Sequence, residues 1–220
     1  MTARRHLSIC LVVAIAAAGL ASTVAAHPHV LVDAKSEVVF DAEGRMKSVR
    51  QVWRFDAAFS AYAIQGLDTD EDGTYSDEEL KPLAKINVDS LKEFDFFTYL
   101  TVGDAELDFV EPQEYWLELH GDQLTLFYNL PLTEPIAVGP QTTLEVFDPE
   151  YFVAFIFVKE GPVTLDSAPA GCSAVYHPPR ELDDQTMALL GALPQDQREL
   201  PPELSGAAAD LANVAEIKCP

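Results

Sequence analysis

The residues from Asp68 to Glu79, DTDEDGTYSDEE, have the types and spacing to hold a hard cation. Asp68, Asp70 and Asp72 fall at positions 1, 3 and 5 of a twelve-residue loop, where short carboxylates point inward. Gly73 at position 6 permits the sharp turn and Thr74 at position 7 offers its backbone carbonyl. Ser76 at position 9 can ligate directly or through water, and Glu79 at position 12 can close the site bidentately. This is the ligand pattern of an EF-hand calcium loop, with Tyr75 as its apolar anchor. A solvated acidic loop is the plainer alternative. Seven carboxylates within the twelve residues would repel one another at close range without a cation, which favours Ca²⁺.

A second candidate centre depends on processing. Arg4 and Arg5 precede the apolar stretch ICLVVAIAAAGL, and Val24 and Ala26 supply the small residues of a cleavage site. Residues 1–26 therefore read as a secretory signal peptide, too short in its apolar core to span a membrane. The paired arginines suit twin-arginine export as well as the general secretory route. Cleavage after Ala26 would leave His27, Pro28, His29 and Val30 as the new N-terminus. His27 then offers an α-amine and an imidazole, and His29 a second imidazole. In an extended segment His29 and Asp33 alternate onto the face of His27. Two imidazoles and a carboxylate could hold Zn²⁺, Cu²⁺ or Ni²⁺. Pro28 has no amide proton to lose, so the square-planar mode that uses deprotonated backbone amides is closed. His120 and His177 are the only other histidines after the signal and could complete such a site, although each alone reads as a surface histidine.

Cys172 and Cys219 remain after cleavage and, in an oxidising compartment, form a disulfide that ties the C-terminal tail to the body. Their spacing is not that of a redox or metal-binding CxxC pair. The whole chain carries a net charge of −22, and loss of Arg4 and Arg5 makes it more negative by two. That balance argues against nucleic acid and anionic lipid as partners. No apolar run after the signal reaches the length of a membrane helix.

The elements that must position these residues read mainly as strands. HVLVDAKSEVVFD and MKSVRQVWRFD flank AEGR as a β-hairpin. DFFTYLTV, AELDF, EYWLELHG, QLTLFYNLPL, TTLEVFDP and YFVAFIFV follow, and the last, a continuous apolar run, reads as a strand buried on both faces. FSAYAIQGL is a short helix before the acidic loop, and a second helix capped by Ser76 follows it, with a break near Pro82. ELDDQTMALLGAL is a small C-terminal helix, and His177 falls in a loop before two prolines. The expected fold is mainly β (α+β). Residues 27–220 form one antiparallel β-sandwich or open barrel, with an EF-hand-like helix-loop-helix inserted at about 56–94.

The run HPHVLVDAKSEVVFD, the motif VWRFDAAFS, the acidic loop, DPEYFVAF and the late GC before a proline-rich tail resemble the exported proteins of the domain-of-unknown-function 1007 family. The resemblance spans nearly the whole mature chain. It implies a periplasmic accessory of a divalent transition-metal transport or homeostasis system. The implied partner is an integral-membrane permease like the nickel/cobalt exporters, and His27 and His29 are the matching metal positions. From the residues themselves, no nucleophile elbow, HExxH helix or phosphate loop supports catalysis. The expected protein is thus a metal-binding accessory rather than an enzyme. Two alternatives stand beside it: a calcium-stapled adaptor of a permease without a transition-metal site, and a histidine-brace copper oxidase.

Overall fold

A computed structural model describes residues 28–194, 197 and 199–220. The chain opens with a long hairpin, β1 (Val30–Phe40) and β2 (Met46–Phe55), paired antiparallel from Val32↔Phe55 to Phe40↔Met46. Alternation sets which side faces the core: Val30, Val32, Ala34 and Val38 are buried while Leu31 is 45 % exposed. The turn is held by Asp41, whose Oδ1 accepts the backbone N–H groups of Glu43 and Arg45 at 3.0 and 2.8 Å. Gly44 has φ +77°, and a Cβ there would lie 2.8 Å from Pro169 Cγ, so both the turn and the approaching chain require glycine.

Helix α1 (Ala57–Ala63) leads into the acidic loop and α2 (Asp77–Leu91) leaves it. The expected break at Pro82 does not occur, and α2 runs unbroken through it. Pro82 sits early in the helix and forfeits only the bond to the carbonyl of Glu78, an exposed residue that water can serve. The real break comes in the 3₁₀ turn at Lys92–Phe97, where Asp95, Phe96 and Phe97 take φ values of 49°, 55° and 48°. Left-handed backbone is unfavourable for such residues. Burial of Phe96 and Phe97 in the core offsets it.

The remaining strands are β3 (Thr98–Val102), β4 (Ala105–Glu106), β5 (Glu114–His120), β6 (Gln123–Ile136), β7 (Thr142–Val146), β8 (Val153–Phe157), β9 (Val163–Asp166), β10 (Ser173–His177) and β11 (Asn213–Lys218). They form two sheets. One has the order β5-β6-β2-β1-β8, with β9 also on β1, and the other the order β10-β11-β7-β3-β4. The fold is mainly β, as expected, and neither sheet closes into a barrel. The expectation of wholly antiparallel pairing is corrected in the first sheet, where β8 and β9 both run parallel to β1. The chain crosses from β7 in the other sheet before β8 begins, so β8 arrives from the far side and pairs in parallel.

YFVAFIFV is not buried on both faces: it supplies β8 at the end of the sheet order, with Ile156 53 % exposed on the outer face. His177 ends β10 instead of lying in a loop, and the last residues form β11 inside the second sheet. The C-terminal helices α3 (Asp184–Gly191) and α4 (Ser205–Asp210) cover Tyr151 and Ala154 with their own apolar cluster.

Side chains of both sheets share a core, with Val38, Phe40, Met46 and Val49 meeting Leu100, Leu144, Ala215 and Ile217. A buried polar chain crosses between the sheets. Ser36 Oγ donates to Gln51 Oε1 at 2.6 Å, and Gln51 Nε2 donates to Thr98 Oγ at 3.0 Å. Asn213 makes a second crossing, its Nδ2 donating to the carbonyl of Phe155 at 3.0 Å. Cys172 and Cys219 are disulfide-bonded as expected, one step beyond the Ser173↔Lys218 pair.

Candidate metal centre

Asp56 sets the start of the helix-loop-helix. Its Oδ1 caps α1 by accepting the N–H of Phe59 at 2.9 Å, and its Oδ2 accepts the N–H of Leu31 at 2.9 Å. The loop then folds on its own carboxylates. Asp68 accepts the N–H groups of Asp72 and Gly73, both at 3.1 Å. Asp72 accepts from Thr74 N and Oγ at 2.7 Å. Gly73 turns at φ +79°, the position for which its lack of a Cβ was expected to matter. Tyr75 packs half-buried against the core beside α2.

Ser76 and Glu79 form a capping box at the head of α2. Glu79 accepts four hydrogen bonds: from Ser76 N at 3.0 Å, Ser76 Oγ at 2.9 Å, Thr69 N at 2.7 Å and Thr69 Oγ at 2.8 Å. The backbone N–H of Ser76, followed by that of Thr69, holds its carboxyl down to about 2, so it stays ionised across the physiological range. One carboxylate oxygen from each of Asp68, Asp70 and Glu79 lies within 4.8 Å of the others. Such a spacing suits three oxygens around one cation, since Ca²⁺–O distances of about 2.4 Å place ligand oxygens at most about 4.8 Å apart. The structure thus brings together positions 1, 3 and 12. Asp72, Thr74 and Ser76 lie on the same loop in its turn hydrogen bonds.

His27 lies outside the described residues. His29 is placed by the parallel strand, its N–H donating to the carbonyl of Phe152 at 2.8 Å. Its ring stacks on Phe152 with centroids 4.3 Å apart. Asp33, two residues further along the strand from Leu31, forms an ion pair with Arg54. His120 Nε2 lies 2.7 Å from Glu118, and His177 Nε2 lies 3.5 Å from Glu216. Among the described residues, Asp68, Asp70 and Glu79 are the one group of three or more acidic, histidine or cysteine side chains that converge.

Sequence reasoning missed the turn beside His29. Asp148 accepts the N–H groups of Glu150, Phe152 and Val153 at 2.8, 2.9 and 2.9 Å, and this fixes the start of β8 against β1. The DPE signature before YFVAF marks such a turn, but only the Val30↔Val153 pairing shows that Asp148 and Glu150 sit beside the N-terminal segment.

Comparison with known proteins adds kinship without chemistry. An uncharacterised 15.5 kDa protein in the trpE 3′ region, from Spirochaeta aurantia, is 27 % identical over 112 residues, which cover 51 % of this chain and 80 % of that protein. An uncharacterised protein of Haemophilus influenzae is 23 % identical over 180 residues, covering 80 % of this chain and 84 % of its own length. The family model described as "Protein of unknown function (DUF1007)" matches residues 12–219. With that match over nearly its whole length, the chain belongs to the DUF1007 family.

Proposed function

We propose that the protein is an exported, periplasmic metal-binding accessory of a divalent transition-metal transport or homeostasis system, with calcium as an internal staple. The observation that carries the metal-binding part is the convergence of Asp68, Asp70 and Glu79 within 4.8 Å on a loop held by its own backbone amides. Three carboxylates with Thr74 carbonyl and Asp72 nearby make an oxygen-rich set that favours Ca²⁺ over softer metals. The transition metal, Zn²⁺, Cu²⁺ or Ni²⁺, belongs at the mature terminus, on the amine and imidazole of His27 with the imidazole of His29. Asp33, the carboxylate expected with them, is ion-paired with Arg54, and the β1–β8 pairing brings the turn that holds Asp148 and Glu150 beside His29, which supports an acidic supplement from that turn. The disulfide fits an oxidising compartment, and no helix among the described residues is long and apolar enough to cross a membrane.

Native mass spectrometry of the protein begun at His27 tests the reading by counting metals. One calcium should be lost in Asp68→Ala, and one zinc or copper in His27→Ala and His29→Ala, each without loss of the other metal. Transition-metal binding should weaken below about pH 6, where imidazoles protonate. An alanine added before His27 moves the amine out of chelate position. Unchanged binding in that variant would remove the terminal chelate from the proposal.

The adaptor reading is favoured by one observation of its own. Ile156 on β8, Val158 just beyond it and Leu31 on the neighbouring strand are exposed, apolar side chains that a partner such as a permease would cover. Absence of any transition-metal binding, with calcium binding retained, would select it. The copper-oxidase reading draws no such support from His120 and His177, which face Glu118 and Glu216.

A further inference from the structure

The two helices around the acidic loop are tied unequally to the first sheet. Helix α1 is hydrogen-bonded to it: Ser60 Oγ accepts the N–H of Leu124 at 2.9 Å, and Asp56 holds Leu31. Helix α2 rests on apolar contact through Leu80, Ala84 and Val88. Its Lys85 and Ser90 side chains bond within the helix, and among the described residues no hydrogen bond joins α2 to a strand. The polar ties lie at its ends. At the head Glu79 accepts from Thr69 across the acidic loop, and just beyond the foot the exposed Lys92 pairs with Glu111.

The contact beneath the foot is incomplete. A cavity of about 240 Å³ separates Ser90, Leu91 and Phe94 from Val32, Trp53 and Phe155 of the first sheet. Side chains that face a void forfeit the dispersion contacts that fix the rest of a core. The chain then leaves α2 through three consecutive left-handed residues, Asp95, Phe96 and Phe97. Phe96 and Phe97 are buried, and Thr98 Oγ donates to the Phe96 carbonyl at 2.8 Å, so this strained backbone is anchored on the side of the strands. A helix weakly attached along its length, hollow beneath its foot and joined to the body by strained backbone can open as a unit.

We infer that α2 with Phe94 is a lid over the cavity, that Asp95–Phe97 is its hinge, and that calcium at the acidic loop is its latch. The latch rests on the calcium reading proposed above, because of the three converging carboxylates Glu79 is the one that α2 carries. Asp68 and Asp70 stand on the loop that α1 feeds, so a cation held by all three spans the gap that the lid must open. Opening separates these oxygens and releases the ion, and calcium therefore suppresses opening in proportion to its excess over Kd. Val30 and Phe152, which flank His29, also line the cavity, so the closed lid backs the segment beside the proposed transition-metal site.

Hydrogen exchange read by NMR on ¹⁵N-labelled protein begun at His27 tests the lid and the latch separately. The reporters are the amides of residues 84–91 and the indole N–H of Trp53, a residue 2 % exposed beneath the lid. There are two tryptophans, and Trp116→Phe identifies the signal of Trp53. Without calcium, both reporters should exchange through one opening whose urea dependence is at most about half that of the β2 and β6 amides. Calcium at about a hundredfold excess over Kd should slow both about a hundredfold. Asp70→Ala, whose carboxylate bonds only to Asp72 and to nothing on α2, should lose most of that protection. Asp104→Asn, an exposed acid away from the loop, should keep it. Circular dichroism confirms that each variant folds. Exchange of α2 and Trp53 with the same steep urea dependence as the strands overturns the lid. Calcium that raises Tm but leaves α2 exchange unslowed overturns the latch and spares the calcium reading. Failure of calcium to bind at all overturns both the latch and that reading.

Discussion

Calcium should raise the thermal stability of this protein by an amount that the loop geometry makes removable one carboxylate at a time. A ligand that binds only the folded state stabilises it by RT ln(1 + [L]/Kd), about 4 kcal/mol at a thousandfold excess over Kd. The unfolded chain keeps the carboxylates but not their convergence within 4.8 Å, so it competes poorly for the ion. For a chain of this size each kcal/mol moves Tm by about 2–4 °C, which predicts a rise of roughly 8–16 °C at that excess. Asp68→Ala removes a converging oxygen and the acceptor for Asp72 and Gly73 together. A hundredfold weakening of calcium binding would take away about 2.7 kcal/mol of the gain, most of the shift. Glu79→Gln removes the charge and keeps an acceptor for only one of the two pairs of hydrogen bonds, those from Thr69 or those from Ser76, because the amide nitrogen in the other position donates. The quantity to compare is therefore the calcium-dependent change within each variant, measured by differential scanning calorimetry. Asp104→Asn, an exposed acid on the β3–β4 turn, is the control and should keep the full shift. Magnesium should shift Tm less, because it sheds its water reluctantly. A full calcium shift in Asp68→Ala would refute the assignment, because the convergence would then have no part in binding.

Removing the disulfide with Cys172→Ser and Cys219→Ser should cost about 4 kcal/mol in the chain-entropy model for a separation of 47 residues, read from urea midpoints. Asn213→Leu should cost about 1–3 kcal/mol in the same assay, because it orphans the Phe155 carbonyl and the hydroxyl of Tyr176. Asp41 is held below the usual carboxylate range, chiefly by the backbone N–H of Arg45. A depressed folded value stabilises above the unfolded pKa of about 3.9, and the contribution disappears as pH falls through the folded one. The stability gap between wild type and Asp41→Asn should therefore be constant above about pH 5 and close on acidification, as measured by acid titration of circular dichroism.

What the sequence made legible was local. The β1–β2 hairpin rests on two alternating runs around AEGR, and the acidic loop on twelve consecutive positions, so each is decided by neighbours in the chain. The parallel pairing of β8 with β1 joins residues more than a hundred apart, and no periodicity in YFVAFIFV announces it. That run misled because apolar residues can mark two buried faces or one exposed strip, and Ile156 proves to be the latter. The crossing hydrogen bonds of Gln51 and Asn213 were invisible for a related reason. A polar residue in a strand reads as outward until the facing sheet supplies its partner, here Thr98 and the Phe155 carbonyl.

The two candidate metal centres are far apart in sequence, yet one residue joins their supports. Asp56 starts the helix that enters the acidic loop, and it also grips Leu31 from both sides. It accepts the Leu31 N–H on its side chain at 2.9 Å and donates its own N–H to the Leu31 carbonyl at 2.9 Å. Leu31 is two residues from His29, whose backbone is in turn fixed to Phe152 in the turn that Asp148 organises. Under the proposed reading, calcium need not take part in transition-metal chemistry to matter for it. By holding α1 and α2 together it steadies the end of β1 next to His29. A calcium-depleted protein would then keep its histidine ligands but lose order at Leu31 and His29, which amide hydrogen exchange at those two positions would reveal.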